Sequence, residues 1–196
     1  AAYQGERITG SACGKMDQLC AYSQPTVVTF DGPEINIAPL QLHKPLWLVV
    51  VDLQGKKDTT RILRDLNRCY PFPHSEVQRN VHLGLGAKNE TTTSQAITAM
   101  KNGDLLALGK AMTKAQADFD ALVAPACPEE LNAPLLHQLL RFKPLQPLIF
   151  GGKGVGSQGD GCAQFLVANQ QRQQQVVELI TEQLRLPCFS MCIRCD

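Results

Sequence analysis

The sequence feature that most constrains the fold is a segment, residues 151–161, in which six of the eleven positions are glycine. It lies between two apolar runs, residues 148–150 and 163–167, which predict strands. Glycine loses more conformational freedom on folding than any other residue, so such a cluster indicates positive φ angles or a close approach of the backbone to a ligand. A row of unhindered backbone N–H groups suits a phosphate anion. The segment therefore predicts a ligand-binding loop between two strands, with a plain flexible turn as the alternative.

Neither of two common nucleotide-binding motifs explains this segment. Gly154, Gly156 and Gly159 reproduce the spacing of the dinucleotide fingerprint, but that fingerprint requires a helix to begin within the motif. A strand-like run follows here instead, which argues against an oxidoreductase that binds a nicotinamide cofactor. A Walker A loop is excluded because no Gly-Lys-Ser/Thr ends the segment.

The rest of the chain predicts an α+β fold. Residues 26–30 and 34–38 predict a hairpin, and the apolar run from Leu46 to Leu53 predicts a strand that is covered on both faces. Apolar residues at spacings of three and four predict a long helix over residues 105–122, with Asp104 as its N-cap. Further helices are predicted over residues 59–68, 94–100, 131–141 and 174–186. The irregular order of these elements favours helices packed on one face of a largely antiparallel sheet.

The composition excludes several classes of protein. Lys and Arg total 19 against 18 Asp and Glu, which gives a net charge of +1 and no basic footprint for nucleic acid. No apolar run approaches the roughly 20 residues of a membrane helix, and 44% hydrophobic residues are too many for a disordered chain. We therefore expect a cytoplasmic protein whose partner is a small molecule, with no nucleic acid and no membrane as partners.

The chain also contains eight cysteines and four histidines, residue types that often carry chemistry. Most of the cysteines are predicted to be reduced and buried as small apolar side chains. Cys188, Cys192 and Cys195 have a spacing that allows a metal or an iron–sulfur cluster, although chance cysteines on a last strand are the simpler interpretation. The histidines have no ligand-like spacing, so each is predicted to be structural or exposed: His43, His74, His82 and His137.

A second segment, residues 6–18, carries two carboxylates on either side of a glycine-rich break. Asp17 precedes a helix-like stretch. It is either a helix cap or a carboxylate held at a loop edge, where it can orient or deprotonate a hydroxyl group. Glu6 offers the hard oxygen ligands that suit Mg²⁺. This segment is therefore a second candidate for a functional site.

Together the two segments resemble motifs of the GHMP kinases, the superfamily that includes galactokinase, homoserine kinase, mevalonate kinase and phosphomevalonate kinase. Residues 13–18, Cys-Gly-Lys-Met-Asp-Gln, are similar to the Cys-Gly-x-Met-Asp-Gln of galactokinases and arabinokinases. Residues 151–162 are similar to the third motif of the family. Residues 102–112 resemble a helix pair between these motifs, and residues 127–131 resemble the Cys-Pro-Glu-Leu that follows it. The motifs occur in the order of the family over nearly the whole chain.

This resemblance implies a fold and a reaction. Residues 1–44 are expected to be the end of an N-terminal domain of the ribosomal-protein-S5-like type. Residues 45–196 are expected to form the ferredoxin-like C-terminal domain of a GHMP kinase. The implied activity is ATP-dependent transfer of the γ-phosphoryl group to a hydroxyl of a small molecule, with ATP and Mg²⁺ as cofactors.

The resemblance also implies roles for individual residues. Asp17 matches the catalytic aspartate, which contacts the acceptor hydroxyl, and Glu6 matches the metal-binding glutamate on the mevalonate kinase alignment. Cys13, Gly14 and Lys57 are expected on the acceptor side. The nucleotide phosphates are expected beside Gly154, Gly156, Ser157, Gln158, Gly159, Asp160 and Gly161. Gln158 and Asp160 replace glycines of the family, and the negative charge of Asp160 is unfavourable near a phosphate unless it points away, faces a metal or hydrogen-bonds the loop itself.

The galactokinase-like motif favours a sugar or sugar acid as the acceptor, phosphorylated at its anomeric hydroxyl. Two alternatives are a mevalonate-kinase-like enzyme for a non-sugar alcohol and a non-catalytic ligand sensor that keeps the fold. The first two motifs of the family, which supply a basic residue and the main phosphate cradle, have no counterpart in the sequence and are expected upstream of Ala1. If Ala1 is the true start, the chain alone is expected not to be a working kinase.

Overall fold

The computed structural model describes residues 8, 24–32 and 34–195 of the chain. Its first sheet is a hairpin of two strands, β1 (Thr26–Asp31) and β2 (Glu34–Pro39). They pair antiparallel, with Thr26 opposite Pro39 and Asp31 opposite Glu34. The hairpin that the sequence predicted is therefore confirmed.

The main sheet has four strands: β3 (Leu46–Asp52), β4 (Ile149–Gly154), β5 (Cys162–Val167) and β6 (Cys188–Ile193). Their spatial order is β4-β5-β3-β6, and every neighbouring pair is antiparallel. Counted within this sheet alone, the order is second, third, first and fourth strand, which is the order of a ferredoxin-like sheet. The predicted α+β, ferredoxin-like fold class is confirmed.

Seven α-helices lie in the described ranges: α1 (Thr59–Asn67), α2 (Glu76–Leu83), α3 (Asn89–Asn102), α4 (Leu105–Leu122), α5 (Pro128–Leu131), α6 (Pro134–Leu140) and α7 (Gln170–Leu184). A π-helical turn, Gly84–Lys88, joins α2 to α3. The predicted cap of the long helix is confirmed, because Asp104 Oδ1 accepts a hydrogen bond of 2.9 Å from the Ala107 N–H. No helix in these ranges combines the length and the hydropathy needed to cross a membrane.

Helices cover both faces of the main sheet. Val49, Val51 and Phe165 pack in one core cluster, with Leu136 of α6 and Ile180 of α7. The alternate residues of the same strands pack in a second cluster with α3 and α4: Leu46, Leu48 and Leu166. Successive strand residues face opposite sides of a sheet. The expectation of helices on a single face was therefore wrong, whereas the double coverage predicted for β3 is confirmed.

Several helix boundaries differ from the prediction. The helix expected over residues 131–141 begins only at Pro134, as α6, because Ala133 has a left-handed φ of 42° and precedes a proline. Leu131 instead ends the short helix α5. Helix α7 begins at Gln170, before the expected 174, because the Asn169 side chain caps it by accepting from the Arg172 N–H at 2.9 Å. Helix α2 was not predicted.

Candidate functional site

The glycine-rich segment divides into a strand part and a turn. Residues 151–154 belong to β4, so the predicted loop begins later than expected. A Cβ atom on Gly151 would overlap the carbonyl of Gly109 in α4, and one on Gly152 would lie 2.6 Å from Cε1 of Phe165. These two glycines are explained by close packing of the strand rather than by a ligand.

The remaining residues, 155–161, form what we call the glycine turn. The Val155 N–H donates to the Cys162 carbonyl at 3.0 Å, and the Gln158 N–H donates to the Val155 carbonyl at 3.1 Å. The second bond closes a four-residue β-turn. Gly156 and Gly159 have φ angles of 61° and 70°. The sequence argument from positive φ angles is therefore confirmed at these two positions.

Lys57 lies along this turn. Its Nζ donates to Ser157 Oγ at 3.2 Å and to the Gln158 carbonyl at 3.1 Å. The loop that carries Lys57 is held against the turn by a backbone hydrogen bond of 2.9 Å from the Leu53 N–H to the Gly161 carbonyl. Residues about one hundred positions apart are thereby brought together. The structure places the predicted substrate-side lysine beside the predicted phosphate-side residues.

The charge of Lys57 is not compensated by a carboxylate among the described residues, since it takes part in none of their salt bridges. The lysine is half-buried, and two of its three N–H donors are occupied by the turn. Within the described ranges the third N–H has no acceptor, so it is a donor for another group. A half-buried ammonium with a spare donor attracts an anion.

Asp160 has a structural role as the cap of helix α6. Its Oδ1 accepts a hydrogen bond of 2.9 Å from the Leu136 N–H, in the first turn of α6. Because the preceding residue, Ala133, supplies no side-chain cap, Asp160 caps this helix from a distant part of the chain. A carboxylate is favoured at a helix N-terminus. This contact gives the unexpected acidic residue of the glycine segment a structural role, since its Oδ1 is directed to α6 and not to the loop itself.

Gln158 occupies the space under the turn. The residue is only 6% exposed and has a left-handed φ of 65°. Its Oε1 has no hydrogen-bond partner in the described part of the chain, and it lies where a Cβ on Gly154 would be. Gly154 must therefore be glycine for Gln158 to fit.

A series of hydrogen-bonded side chains, which the sequence did not predict, begins at Gly154. The Gly154 N–H donates to Gln116 Oε1 at 2.7 Å, and Gln116 Nε2 donates to Asp120 Oδ1 at 2.8 Å. His137 Nε2 lies 2.8 Å from Asp120 Oδ2. Gln116 and Asp120 share one face of α4 at a spacing of four, but nothing in their spacing relative to residues 137 and 154 indicates the contact.

A second lysine lies at the end of β4. Lys153 Nζ donates to the Gly154 carbonyl at 2.8 Å. Burial lowers the pKa of Lys153 from its ordinary value of 10.5. Both lysines of the site are therefore held close to the glycine backbone.

Four predicted site residues, Glu6, Cys13, Gly14 and Asp17, lie outside the residues that the structure describes. Their roles in catalysis, acceptor binding and metal binding stay predictions. Within the described ranges, no group of three His, Cys, Asp or Glu side chains is placed to hold a metal ion. Cys188 and Cys192 stand four residues apart on β6, or about 13 Å along a strand, which is too far to share one ion.

No protein-family model and no curated protein sequence matches the chain. Solved structures do match it. Galactokinase of Lactococcus lactis, complexed with galactose, has a TM-score of 0.64 at 15% identity, over 97% of this chain and 56% of that one. L. major mevalonate kinase, in complex with R-mevalonate, has 0.63 at 18% identity, over 87% and 49%. Homoserine kinase of Cytophaga hutchinsonii has 0.60 at 10% identity, over 98% and 55%.

These similarities concern the fold, and the chain spans about half the length of each of these structures. The three neighbours are a galactokinase, a mevalonate kinase and a homoserine kinase, three of the enzyme types whose motifs the sequence resembles. The expected GHMP kinase fold is thus confirmed: the chain has the fold of a part of the GHMP kinases.

Proposed function

We propose that the protein is, or is part of, an ATP-dependent kinase that transfers the γ-phosphoryl group to a hydroxyl of a sugar or sugar acid. The observation that carries the proposal is the contact of Lys57 with the glycine turn in a fold shared with GHMP kinases. The Lys57 ammonium donates there to Ser157 Oγ and to the Gln158 carbonyl, and it has no salt bridge to a carboxylate among the described residues. Phosphoryl transfer depends mainly on positioning and charge stabilisation, and such groups supply both.

The described residues fit the phosphate end of a nucleotide. Gly156 leaves the backbone of the turn unhindered, since nothing lies within 4 Å of a Cβ added there, and the remaining N–H of Lys57 is a donor for a phosphate oxygen. The Oδ1 atom of Asp160 is directed to the Leu136 N–H at the start of α6, where the helix dipole favours a negative charge. ATP supplies the phosphoryl group in this proposal, and Mg²⁺ would be held in part by Glu6.

Asp17 has the central chemical role in this proposal. We assign it the orientation of the acceptor hydroxyl and the removal of its proton, on the strength of the motif in residues 13–18. Cys13 and Gly14 are assigned to the acceptor side. The anomeric hydroxyl of a sugar is favoured by the same motif, and a cytoplasmic location is consistent with a small-molecule kinase.

The test is ADP release by the purified protein, with a sugar, a uronic acid and mevalonate as separate acceptors. The preparation should include whatever sequence precedes Ala1 in the native reading frame. Asp17→Asn is expected to lower turnover by orders of magnitude with little loss of ATP binding. Asp31→Asn, at the end of β1, is the control and should leave turnover unchanged.

The alternatives give different results in the same assay. Turnover with mevalonate and not with sugars identifies a kinase of a non-sugar alcohol. Nucleotide or sugar binding without ADP release under any condition identifies a ligand sensor. Full turnover in Asp17→Asn would contradict the assigned chemistry.

A further inference from the structure

Both ring nitrogens of His137 face hydrogen-bond acceptors. Nε2 lies 2.8 Å from Asp120 Oδ2. Nδ1 lies 2.8 Å from the Ala133 carbonyl and 3.0 Å from the Asn132 carbonyl. A carbonyl and an ionised carboxylate can only accept, so both nitrogens must carry a proton for all these contacts to be hydrogen bonds. The geometry therefore selects the imidazolium form, paired with the Asp120 carboxylate.

The electrostatic surroundings agree with the geometry. Burial lowers the pKa of His137, but the hydrogen bonds to Asp120 and to the Ala133 and Asn132 carbonyls outweigh it and raise the pKa above its ordinary 6.5. Asp120 faces the ring from α4, and Arg141 follows His137 at the end of α6. Strand β4 presents only apolar side chains and glycine backbone to the cavity of about 340 Å³ that these residues line.

The imidazolium is connected on one side to Gly154, the last residue of β4 before the glycine turn, and on the other side to Asp160 within the turn. On one side, Asp120 orients Gln116, whose Oε1 then accepts from the Gly154 N–H. On the other side, Leu136, the neighbour of His137 in α6, donates its backbone N–H to Asp160. These hydrogen bonds, together with the backbone between Leu136 and His137, link Gly154 through α4 and α6 to Asp160.

We propose that His137 is a positioning residue for the glycine turn: its protonated ring fixes Asp120 and Gln116, and through them the backbone of Gly154. Loss of one ring proton removes the positive charge beside Asp120. It leaves a lone pair either on Nε2, facing the carboxylate, or on Nδ1, facing the carbonyls of Ala133 and Asn132. In both cases the link from α6 to Asp120 weakens, and the amide of Gly154 is held less firmly in one orientation. This inference rests on the proposed function only where it predicts weaker phosphate binding by the glycine turn.

The first measurement is independent of any ligand. Heteronuclear NMR on the whole chain follows the His137 ring and the Gly154 amide between pH 5 and 9. We expect both to titrate together, at a pH above 6.5. In Asp120→Asn the ring should titrate at lower pH, and in His137→Gln the pH dependence of the Gly154 amide should disappear. His74→Gln, at an exposed histidine, is the matched control and should change neither.

The second measurement is the affinity for ADP over the same pH range. The ratio of wild-type affinity to that of His137→Gln should fall by about fivefold as the pH passes through the His137 pKa, the effect of weakening one hydrogen bond. If the Gly154 amide signal does not change as His137 titrates, the inference is overturned. A coupled Gly154 amide in a protein that binds no ADP supports the positioning and overturns the proposed function instead.

Discussion

Gly109 of α4 and Gly151 of β4 face each other with no side chain between them. A Cβ on Gly109 would lie 2.6 Å from Cβ of Phe150, and one on Gly151 would overlap the Gly109 carbonyl. The helix can therefore approach the strand until their backbones touch. This contact brings Gln116, two turns further along α4, within reach of Gly154.

Gly109→Ala is expected to lower the free energy of unfolding by about 1–3 kcal/mol, since the added methyl group must push α4 away from β4. The usual helical advantage of alanine over glycine is too small to offset this. Lys110→Ala is the control, because it places an alanine at an exposed position of the same helix without a new contact. Denaturant unfolding of both variants tests the contact, and equal stability of the two would contradict it.

Lys57→Met is expected to weaken ADP binding about tenfold, the effect of losing one charge-assisted hydrogen bond. The neighbouring Lys56 is exposed, so Lys56→Met is the control for the loss of a positive charge. Calorimetric titration measures both. If Lys57 instead binds the carboxylate of an acidic sugar, Lys57→Met leaves ADP binding intact and raises KM for the uronic acid alone. If Lys57→Met changes neither the affinity for ADP nor the KM for the uronic acid, Lys57 does not contribute to binding at this site.

Asp160→Ala is expected to cost about 0.5–2 kcal/mol of stability, as for other helix caps. The control is Asp118→Ala, which removes an exposed ion pair with Lys114 and should cost only a few tenths of a kcal/mol. Thermal or denaturant unfolding distinguishes the two costs. An Asp160→Ala variant as stable as the wild type would contradict the role of Asp160 as a cap.

The contribution of His137 to stability should depend on pH. Because its pKa is raised in the folded protein, this contribution is fully present below about pH 6.5 and is lost as the pH rises through the folded-state value. The difference in unfolding free energy between wild type and His137→Gln should therefore be larger at pH 6 than at pH 9. Equal differences at the two pH values would show that the ring carries no extra proton in the fold.

Two buried cysteines should resist alkylation. Burial raises the pKa of Cys69 and of Cys127, and Asp65 raises both further, in Cys127 through a hydrogen bond. The thiolate is the reactive form, so Cys69 and Cys127 should react with iodoacetamide much more slowly than the exposed Cys195. Peptide mass spectrometry measures the rates, and denaturant should abolish the difference.

Features that depend on short stretches of chain were predictable. The hairpin follows from two β-rich runs around a turn, and β3 follows from its unbroken apolar run. In α4, the apolar spacing places Leu105, Leu108 and Met112 against the sheet. In β3 and α4, the pattern that buries the residues is the same pattern that the sequence displays.

Features that depend on long-range contacts were not predictable. The sequence shows glycines at 151 and 152, but not the helix and the phenylalanine ring that require them. It shows His137 and Asp120 as separate polar residues on two helices. Their pairing arises because α4 and α6 meet beside β4, a property of the packing and not of any local spacing.

The hydrogen bond between Gln116 and Gly154 has one more consequence. Strand β4 forms one edge of the sheet in the described part of the chain, and an edge strand with unpaired amides is a template for pairing with a strand of another molecule. Gln116 already occupies the Gly154 N–H, and α4 lies against the strand. The side chain that accepts from Gly154 thereby also removes one amide of this edge from pairing with another strand.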